Sequence, residues 1–125
     1  MNFNDSTYDI IGCAMRVHSA LGPGLHGEPY AKALVLDLHA NGFQADPLRS
    51  YPVHYLDEVV GECTPGITVD DTVLIDTASI EAIGDQEIAR MLTQLRIARL
   101  HTGLILNFRN PKLETKRVVK SPAST

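Results

Sequence analysis

Residues 67–78 read Ile67-Thr68-Val69-Asp70-Asp71-Thr72-Val73-Leu74-Ile75-Asp76-Thr77-Ala78. β-Branched residues dominate both sides of the Asp70-Asp71 pair, and such runs around two turn-forming residues predict a β-hairpin. The second strand carries one acid, Asp76, and Ala78 stands two residues beyond it. The segment therefore predicts a buried strand with a single carboxylate near its end.

Two helices are predicted before this hairpin. Ile11, Met15, Val17 and His18 recur at helical spacing in a first helix that an N-terminal cap at residues 4–6 would begin. Gly22-Pro23-Gly24 ends that helix near Leu21, and a second helix is expected from about Gly27 to a cap at Gly42.

The rest of the chain predicts strands, one helix and two more strands. Residues 51–55 and 59–64 predict a first hairpin, residues 85–100 return to helical spacing, residues 101–108 form an apolar strand, and residues 117–120 predict an edge strand. This order predicts an α/β (or α+β) domain that has two N-terminal helices, a central mixed β-sheet, one helix and a closing strand pair.

Composition agrees with a single compact domain. The chain has 125 residues and is 44% hydrophobic, so we expect one domain over residues 1–120 and a flexible tail over residues 121–125. The sequence shows no leader and no apolar run of membrane-spanning length, which favours a cytoplasmic protein with no membrane partner. Cys13 and Cys63 lack CxxC spacing and are interpreted as small buried hydrophobes.

Several motifs together carry a resemblance to a known family. They are residues 10–18, residues 21–25 with Tyr30 and Ala33-Leu34, residues 52–55, and residues 103–108. Over about residues 8–120 the chain resembles the GxxExxY family, a branch of the PD-(D/E)XK nuclease-like superfamily. The resemblance implies a PD-(D/E)XK nuclease-like core and, where the catalytic motif is complete, Mg²⁺-dependent cleavage of nucleic acid.

The family's functional positions match this sequence poorly. The family's glutamate, first aspartate and second acid fall on Gly27, Gly66 and Asp76. Its lysine, helical glutamine and helical tyrosine fall on Ala78, Arg90 and Gln94. Mg²⁺ needs two or more converging carboxylates, and cleavage also needs a cation that orients water and offsets charge on the phosphate. The resemblance therefore implies a degenerate member that has no confident catalytic residue, metal ligand set or cofactor.

Glu28 and Asp76 are the remnant catalytic candidates. If the loop before the second helix is shifted by one residue, Glu28 could replace the missing family glutamate and join Asp76 as a second ligand. Alternatively, Glu28 only complements the positive end of the second helix, an interaction of about 0.3–1 kcal/mol.

The charge is unevenly distributed along the chain. The net charge is −4, but seven basic residues and Glu114 give residues 96–125 a charge of +6, so residues 1–95 carry −10. A basic segment on an acidic body can contact a polyanion or another copy of the chain. The nucleic-acid-binding candidates are Arg109, Lys112, Lys116, Arg117 and Lys120.

Three functional hypotheses follow. The first is a catalytically inactive, nuclease-like domain that acts as a structural protein, by self-assembly into a homo-oligomer or by binding a partner. The second is a weak, salt-sensitive nucleic-acid-binding module. The third is a residual nuclease that would use Mg²⁺ with Glu28, Asp76 and either Asp70 or Glu81. For self-assembly, the candidates for an apolar interface centre are Tyr51, Val53, Tyr55, Val59 and Val60.

Overall fold

The computed structural model describes residues 4–120. The helices are α1 (Asn4–Leu21), α2 (Gly27–Ala40) and α3 (Asp85–Ala98). The strands are β1 (Ala45–Asp46), β2 (Tyr51–Tyr55), β3 (Glu58–Cys63), β4 (Ile67–Val69), β5 (Val73–Ala78), β6 (Thr102–Asn107) and β7 (Glu114–Val119). The tail predicted over residues 121–125 lies outside the described residues, as do the side chains of Asn4 and Asp5.

Five strands form a mixed sheet in the order β1-β4-β5-β6-β7. β5 and β6 are parallel, and the other neighbours are antiparallel. The crossover between the parallel strands runs through α3, since parallel neighbours cannot be joined by a tight turn. The predicted fold class is thereby confirmed: two helices, a mixed sheet, one helix and a closing strand pair.

The structure adds details that the sequence did not predict. β1 pairs with β4, and the β2–β3 hairpin forms its own two-stranded sheet instead of extending the central one. β7 begins at Glu114, three residues before the predicted start, because β6 offers partners along its whole length, down to the pair Asn107 and Glu114.

α1 and α2 cover one face of the central sheet. The buried side of α1 consists of Ile10, Cys13, Ala14 and Val17, which pack with α2 and with alternate residues of the sheet. Met15, which the periodicity placed with the apolar set, is 56% exposed on the outer side of the helix. The apolar character of α1 therefore extends over more of its circumference than the core requires.

Tyr30 holds the connection between the two helices. Its ring stacks on Phe108 at 4.5 Å, and its hydroxyl donates to Gly22 O at 2.6 Å and accepts from Leu25 N at 3.0 Å. Gly22 and Gly24 have φ of +81° and +91°, a conformation that glycine adopts without strain. The predicted helix stop and restart is confirmed, and it is fixed by a buried tyrosine.

α3 and the β2–β3 hairpin lie on the opposite face. Leu74, Ile105 and Val118 of the central sheet pack there with Met91 and Leu95 of α3, and Tyr51 of β2 joins their edge. The Tyr51 hydroxyl lies 3.1 Å from the Thr68 hydroxyl and so ties the hairpin to β4. The hairpin is therefore held on the α3 face by its first residues.

The cysteines are unpaired, as expected, and Cys13 is buried. Burial, with an additional contribution from Asp37, raises the pKa of the Cys13 thiol to about 11. No helix within residues 4–120 combines the length and the apolar character that crossing a membrane requires.

Candidate functional site

Asp76, which the resemblance aligns with the family's second acid, lies on the central strand β5. Alternate residues of β5 face opposite layers, since Leu74 packs with α3 whereas Ile75 packs with α1 and α2. Asp76 and Ala78 therefore share the α3 face, and the Asp76 side chain is 23% exposed. This strand thus presents one carboxylate, followed by a methyl group where active relatives would place a lysine.

Gly66 lies just before β4, at the position of the family's first aspartate. A Cβ added to Gly66 would overlap the carbonyl oxygen of Ile75 and would lie 3.2 Å from its carbonyl carbon and 3.4 Å from Asp76 Cα. All three are backbone atoms of the neighbouring strand, which cannot rotate away as a side chain can. The place of the first carboxylate is therefore closed to any side chain while β4 and β5 keep this geometry.

Arg90 supplies the charge that faces Asp76. Its guanidinium Nη2 lies 3.5 Å from the Asp76 carboxylate. The Arg90 side chain, on α3, is half-exposed. Burial raises the pKa of Asp76 and Glu87 raises it further, whereas Arg90 acts in the opposite direction and lowers it. Burial prevails, so the ionised form of Asp76 is disfavoured relative to a carboxyl group in water.

These residues do not fit a Mg²⁺ site. Mg²⁺ takes six oxygen ligands in near-ideal octahedral geometry. Here the Asp76 carboxylate faces a guanidinium, and the position of the first carboxylate is closed at Gly66. Within the described residues, no group of three or more histidine, cysteine, aspartate or glutamate side chains is arranged to hold a metal ion.

Glu28 is the acid that the sequence offers as a second ligand beside Asp76. It lies in the first turn of α2 and is exposed, and its carboxylate forms no hydrogen bond or ion pair within residues 4–120. The described contacts therefore agree with the interpretation in which Glu28 complements the positive end of the helix.

The other acids considered for a residual nuclease have structural contacts or lie in solvent. Asp70 and Asp71 form the turn between β4 and β5 at φ of +51° and +56°. The Asp70 carboxylate accepts from Gln44 N at 2.8 Å, and Asp71 pairs with Arg49. Glu81 is exposed. The interpretation of Asp70-Asp71 as turn residues is confirmed.

Asn107, on the apolar strand β6, was missed by sequence reasoning. It is fully buried, accepts from Ile80 N at 3.0 Å and donates to Ile80 O at 2.9 Å and to Glu114 Oε1 at 2.9 Å. Glu114 also accepts from Ile83 N at 3.1 Å. This pair satisfies the backbone of the β5–α3 loop. The one signal in the sequence is a lone amide within an otherwise apolar run.

The basic candidates of the C-terminal segment do not all reach the surface. Arg109, Lys112, Lys116 and Arg117 are exposed and form no ion pair within the described chain. Lys120 is only 5% exposed, and its backbone N–H donates to His101 O at 2.8 Å. The accessible basic set therefore consists of four side chains.

The hairpin candidates separate into two groups. Tyr51 and Val53 alternate toward α3 and are half-buried, whereas Tyr55, Val59 and Val60 are more than 60% exposed. Both faces of β3 are open to solvent, because the hairpin extends away from the central sheet.

A family model described as PD-(D/E)XK nuclease superfamily matches residues 4–118. The match spans both N-terminal helices, the β5 end and all but the last residue of β7. No curated protein and no solved structure matches the chain.

Proposed function

The chain belongs to the PD-(D/E)XK nuclease superfamily, and from this premise we propose that it is a non-catalytic member that acts through its surfaces by associating with itself. The backbone closure at Gly66 carries the proposal. A side chain there would overlap β5, so the first carboxylate is missing and its place is closed as well.

Within the superfamily we place the chain beside the GxxExxY family. Gly24 and Tyr30 are retained and have structural roles. Gly24 has a positive φ, and the Tyr30 hydroxyl forms hydrogen bonds with the loop between the helices. The position of the glutamate between them is Gly27. This pattern is expected of a member in which the fold was kept after the catalytic acid was lost.

Arg90 supports the same proposal. In an active centre a metal ion would neutralise Asp76, whereas here a guanidinium does so. Arg90 cannot activate a water molecule as a bound Mg²⁺ ion does, because guanidinium has no ligand positions to offer. Ala78 offers no cation to a phosphate transition state.

Self-association is supported by exposed apolar side chains and by the charge distribution. Tyr55, Leu56, Val59 and Val60 are 61–79% exposed and lie within six residues of the chain. An interface needs such an apolar centre, while complementary charges chiefly set orientation and encounter rate. The charge of +6 on residues 96–125 and of −10 on the remainder supplies that complementarity between copies.

The first test is cleavage of plasmid and single-stranded oligonucleotide with Mg²⁺ or Mn²⁺. We expect no cleavage by the protein above the background of an Asp76→Ala control prepared in parallel. Cleavage that disappears in the control would mean that Asp76 still serves an active centre, and the proposal would be wrong.

The second test is the mass of the protein by sedimentation velocity at low and high salt. We expect a species much larger than the 13.7 kDa chain, and a smaller one after charge reversal at Lys116 and Arg117, both of which are exposed. Lys120 is unsuitable for this purpose, because reversing a buried charge would disturb the fold. A monomer at micromolar concentration under both conditions would contradict self-association.

A second candidate function is binding of nucleic acid through the four accessible cations Arg109, Lys112, Lys116 and Arg117. The observation in its favour is that none of them has an acidic partner within residues 4–120. Few phosphates could be neutralised, so we expect weak binding that declines steeply between low and physiological salt. A fluorescence titration that shows tight, salt-resistant binding would favour this function instead.

A further inference from the structure

The turn of the β2–β3 hairpin is strained. Leu56 and Asp57 join the strands with φ of +50° and +66°. A two-residue turn with both φ values positive favours Asn-Gly or Asp-Gly, and a leucine in the left-handed region costs about 1–2 kcal/mol. Leu56 is 79% exposed, so packing within the chain does not offset this cost. Backbone strain at an exposed residue indicates a role outside the isolated fold.

Leu56 lies among other exposed apolar side chains. Tyr55 is 65% exposed, and Val59 and Val60 of β3 are each 61% exposed. We refer to Tyr55, Leu56, Val59 and Val60 as the hairpin tip. It is an apolar projection, and two acidic residues, Asp57 and Glu58, follow Leu56 in the sequence.

An apolar groove lies on the other side of the molecule. A solvent-open groove of about 800 Å³ lies between the outer surfaces of α1 and α2. We name it the helical groove, and its apolar lining consists of Met15, Val17, Ala20, Leu21, Ala33, Leu36 and Ala40. Met15 is 56% and Leu36 is 71% exposed, so the groove has unburied apolar walls.

The tip and the groove cannot meet within one chain. α1 and α2 cover one face of the central sheet, whereas the hairpin packs beside α3 on the other. A contact between the tip and the groove would therefore have to join two molecules.

Charge favours another copy of this chain as the second molecule. Lys32 precedes Leu36 by one turn of α2, is exposed, and has no ion-pair partner within residues 4–120. Arg16 and Asp37 line the groove and neutralise each other as an ion pair at 2.9 Å, whereas Lys32 lies outside the lining. The acids beside Leu56 can approach Lys32 when the tip enters the groove. One chain thus carries an acidic apolar projection and an apolar groove with a free cation at its edge.

We propose that the hairpin tip of one copy docks in the helical groove of the next, with Leu56 as its anchor. The inference rests on the proposed self-association and names its apolar surfaces, which lie outside the basic segment of residues 96–125. Because two different surfaces meet, the contact is heterologous, and repeated copies form a ring or shell if it closes and a filament if it does not.

The test uses two variants whose assembly is measured alone and after mixing. Leu56→Asn removes the anchor and places a residue that tolerates positive φ in the turn, so the fold should be at least as stable as the wild type. Leu36→Glu places a negative charge in the groove on an exposed helical position. Each variant alone should sediment as a monomer. An equimolar mixture should form a single dimer, since it contains one intact tip and one intact groove.

Leu48→Asn is the matched control. Leu48 is 81% exposed and belongs to neither surface, so this variant should assemble as the wild type does. Loss of assembly in this control would overturn the inference, because general surface hydrophobicity would then drive association. If the wild type assembles and the Leu56 and Leu36 variants assemble equally well, the docking inference fails and self-association stands. If the mixture gives no dimer, the tip and the groove are not partners. A monomeric wild type would refute the proposed function itself.

Discussion

The carboxyl end of β5 and the hairpin tip have opposite relations to the fold. At β5, Asp76 faces Arg90, the backbone is closed at Gly66, and Asn107 and Glu114 satisfy the neighbouring loop. At the tip, Leu56 is strained and exposed, and the side chains around it are open to solvent. Under the proposed function, the place of the former active centre has become part of the stable fold, whereas the hairpin tip keeps features that do not stabilise the isolated chain.

The largest expected effect is at Gly66, and it tests whether the β5 end is really closed. Gly66→Ala should destabilise the protein by about 3 kcal/mol, because the new methyl group overlaps the backbone of Ile75 and forces β4 away from β5. Chemical denaturation measures the free energy of unfolding.

Gly12→Ala is the control for this substitution. A Cβ at Gly12 meets nothing within 4 Å, and the residue lies inside α1. The same change should therefore stabilise the protein by about 0.5–1 kcal/mol. If both variants were equally stable, the backbone at Gly66 would be free to adjust and the site could be rebuilt.

A smaller effect is expected from Asp76→Asn, and it depends on pH. Because burial raises the pKa of Asp76, the folded state holds this proton more tightly than the unfolded state does. This proton stabilises the folded state at pH values below the pKa that Asp76 has in the unfolded chain. The stabilisation is lost as the pH rises through the pKa that Asp76 has in the folded state. Asp76→Asn should therefore be more stable than the wild type at neutral pH, by about 1 kcal/mol or less, and the difference should vanish in acid.

Arg90→Ala sharpens this test. Removal of the guanidinium should raise the pKa of Asp76 further and should destabilise the protein at neutral pH, and Asp76→Asn should restore stability in that background. Thermal unfolding at several pH values distinguishes the variants. A neutral-pH stability of Asp76→Asn below that of the wild type would show that the ion pair is a net stabilising contact.

The smallest expected effect is at the tip. Leu56→Asn should raise the free energy of unfolding of the monomeric fold by about 0.5–1 kcal/mol, because the turn then contains a residue suited to positive φ. The measurement is denaturation at a protein concentration where the wild type is dissociated. A loss of stability would mean that Leu56 has a packing role within its own chain and would weaken the contrast with β5.

Sequence patterns predicted the element order because periodicity and turn residues act locally. The Asp70-Asp71 turn, the α1–α2 break at Gly22-Pro23-Gly24 and the limits of α3 all follow from neighbouring residues. The separate packing of the β2–β3 hairpin was not predictable, since it depends on Tyr51 reaching α3 and Thr68. Contacts between segments that are distant in the chain produce no periodic pattern in the sequence.

At the candidate site, the residue types were readable from the sequence but their environment was not. Gly66 is recognised as a missing acid by comparison with the family pattern, whereas its contact with Ile75 needs the strand pairing. Arg90 falls at the position of a glutamine, and only the packing of α3 brings it to Asp76. Likewise, the burial of Lys120 depends on β7 pairing with the core strand β6.

Because β2 and β3 form a separate sheet, the hairpin can unfold locally and can vary in sequence independently of the rest of the domain. Its backbone ladder joins only its own two strands, with a register shift between Val53 and His54, and is independent of the register of the five-stranded sheet. Such a unit can open alone in native-state hydrogen exchange while the central strands stay protected. The same independence lets substitutions or insertions accumulate in the hairpin without shifting any core strand, so selection can reshape this element while the rest of the domain stays unchanged.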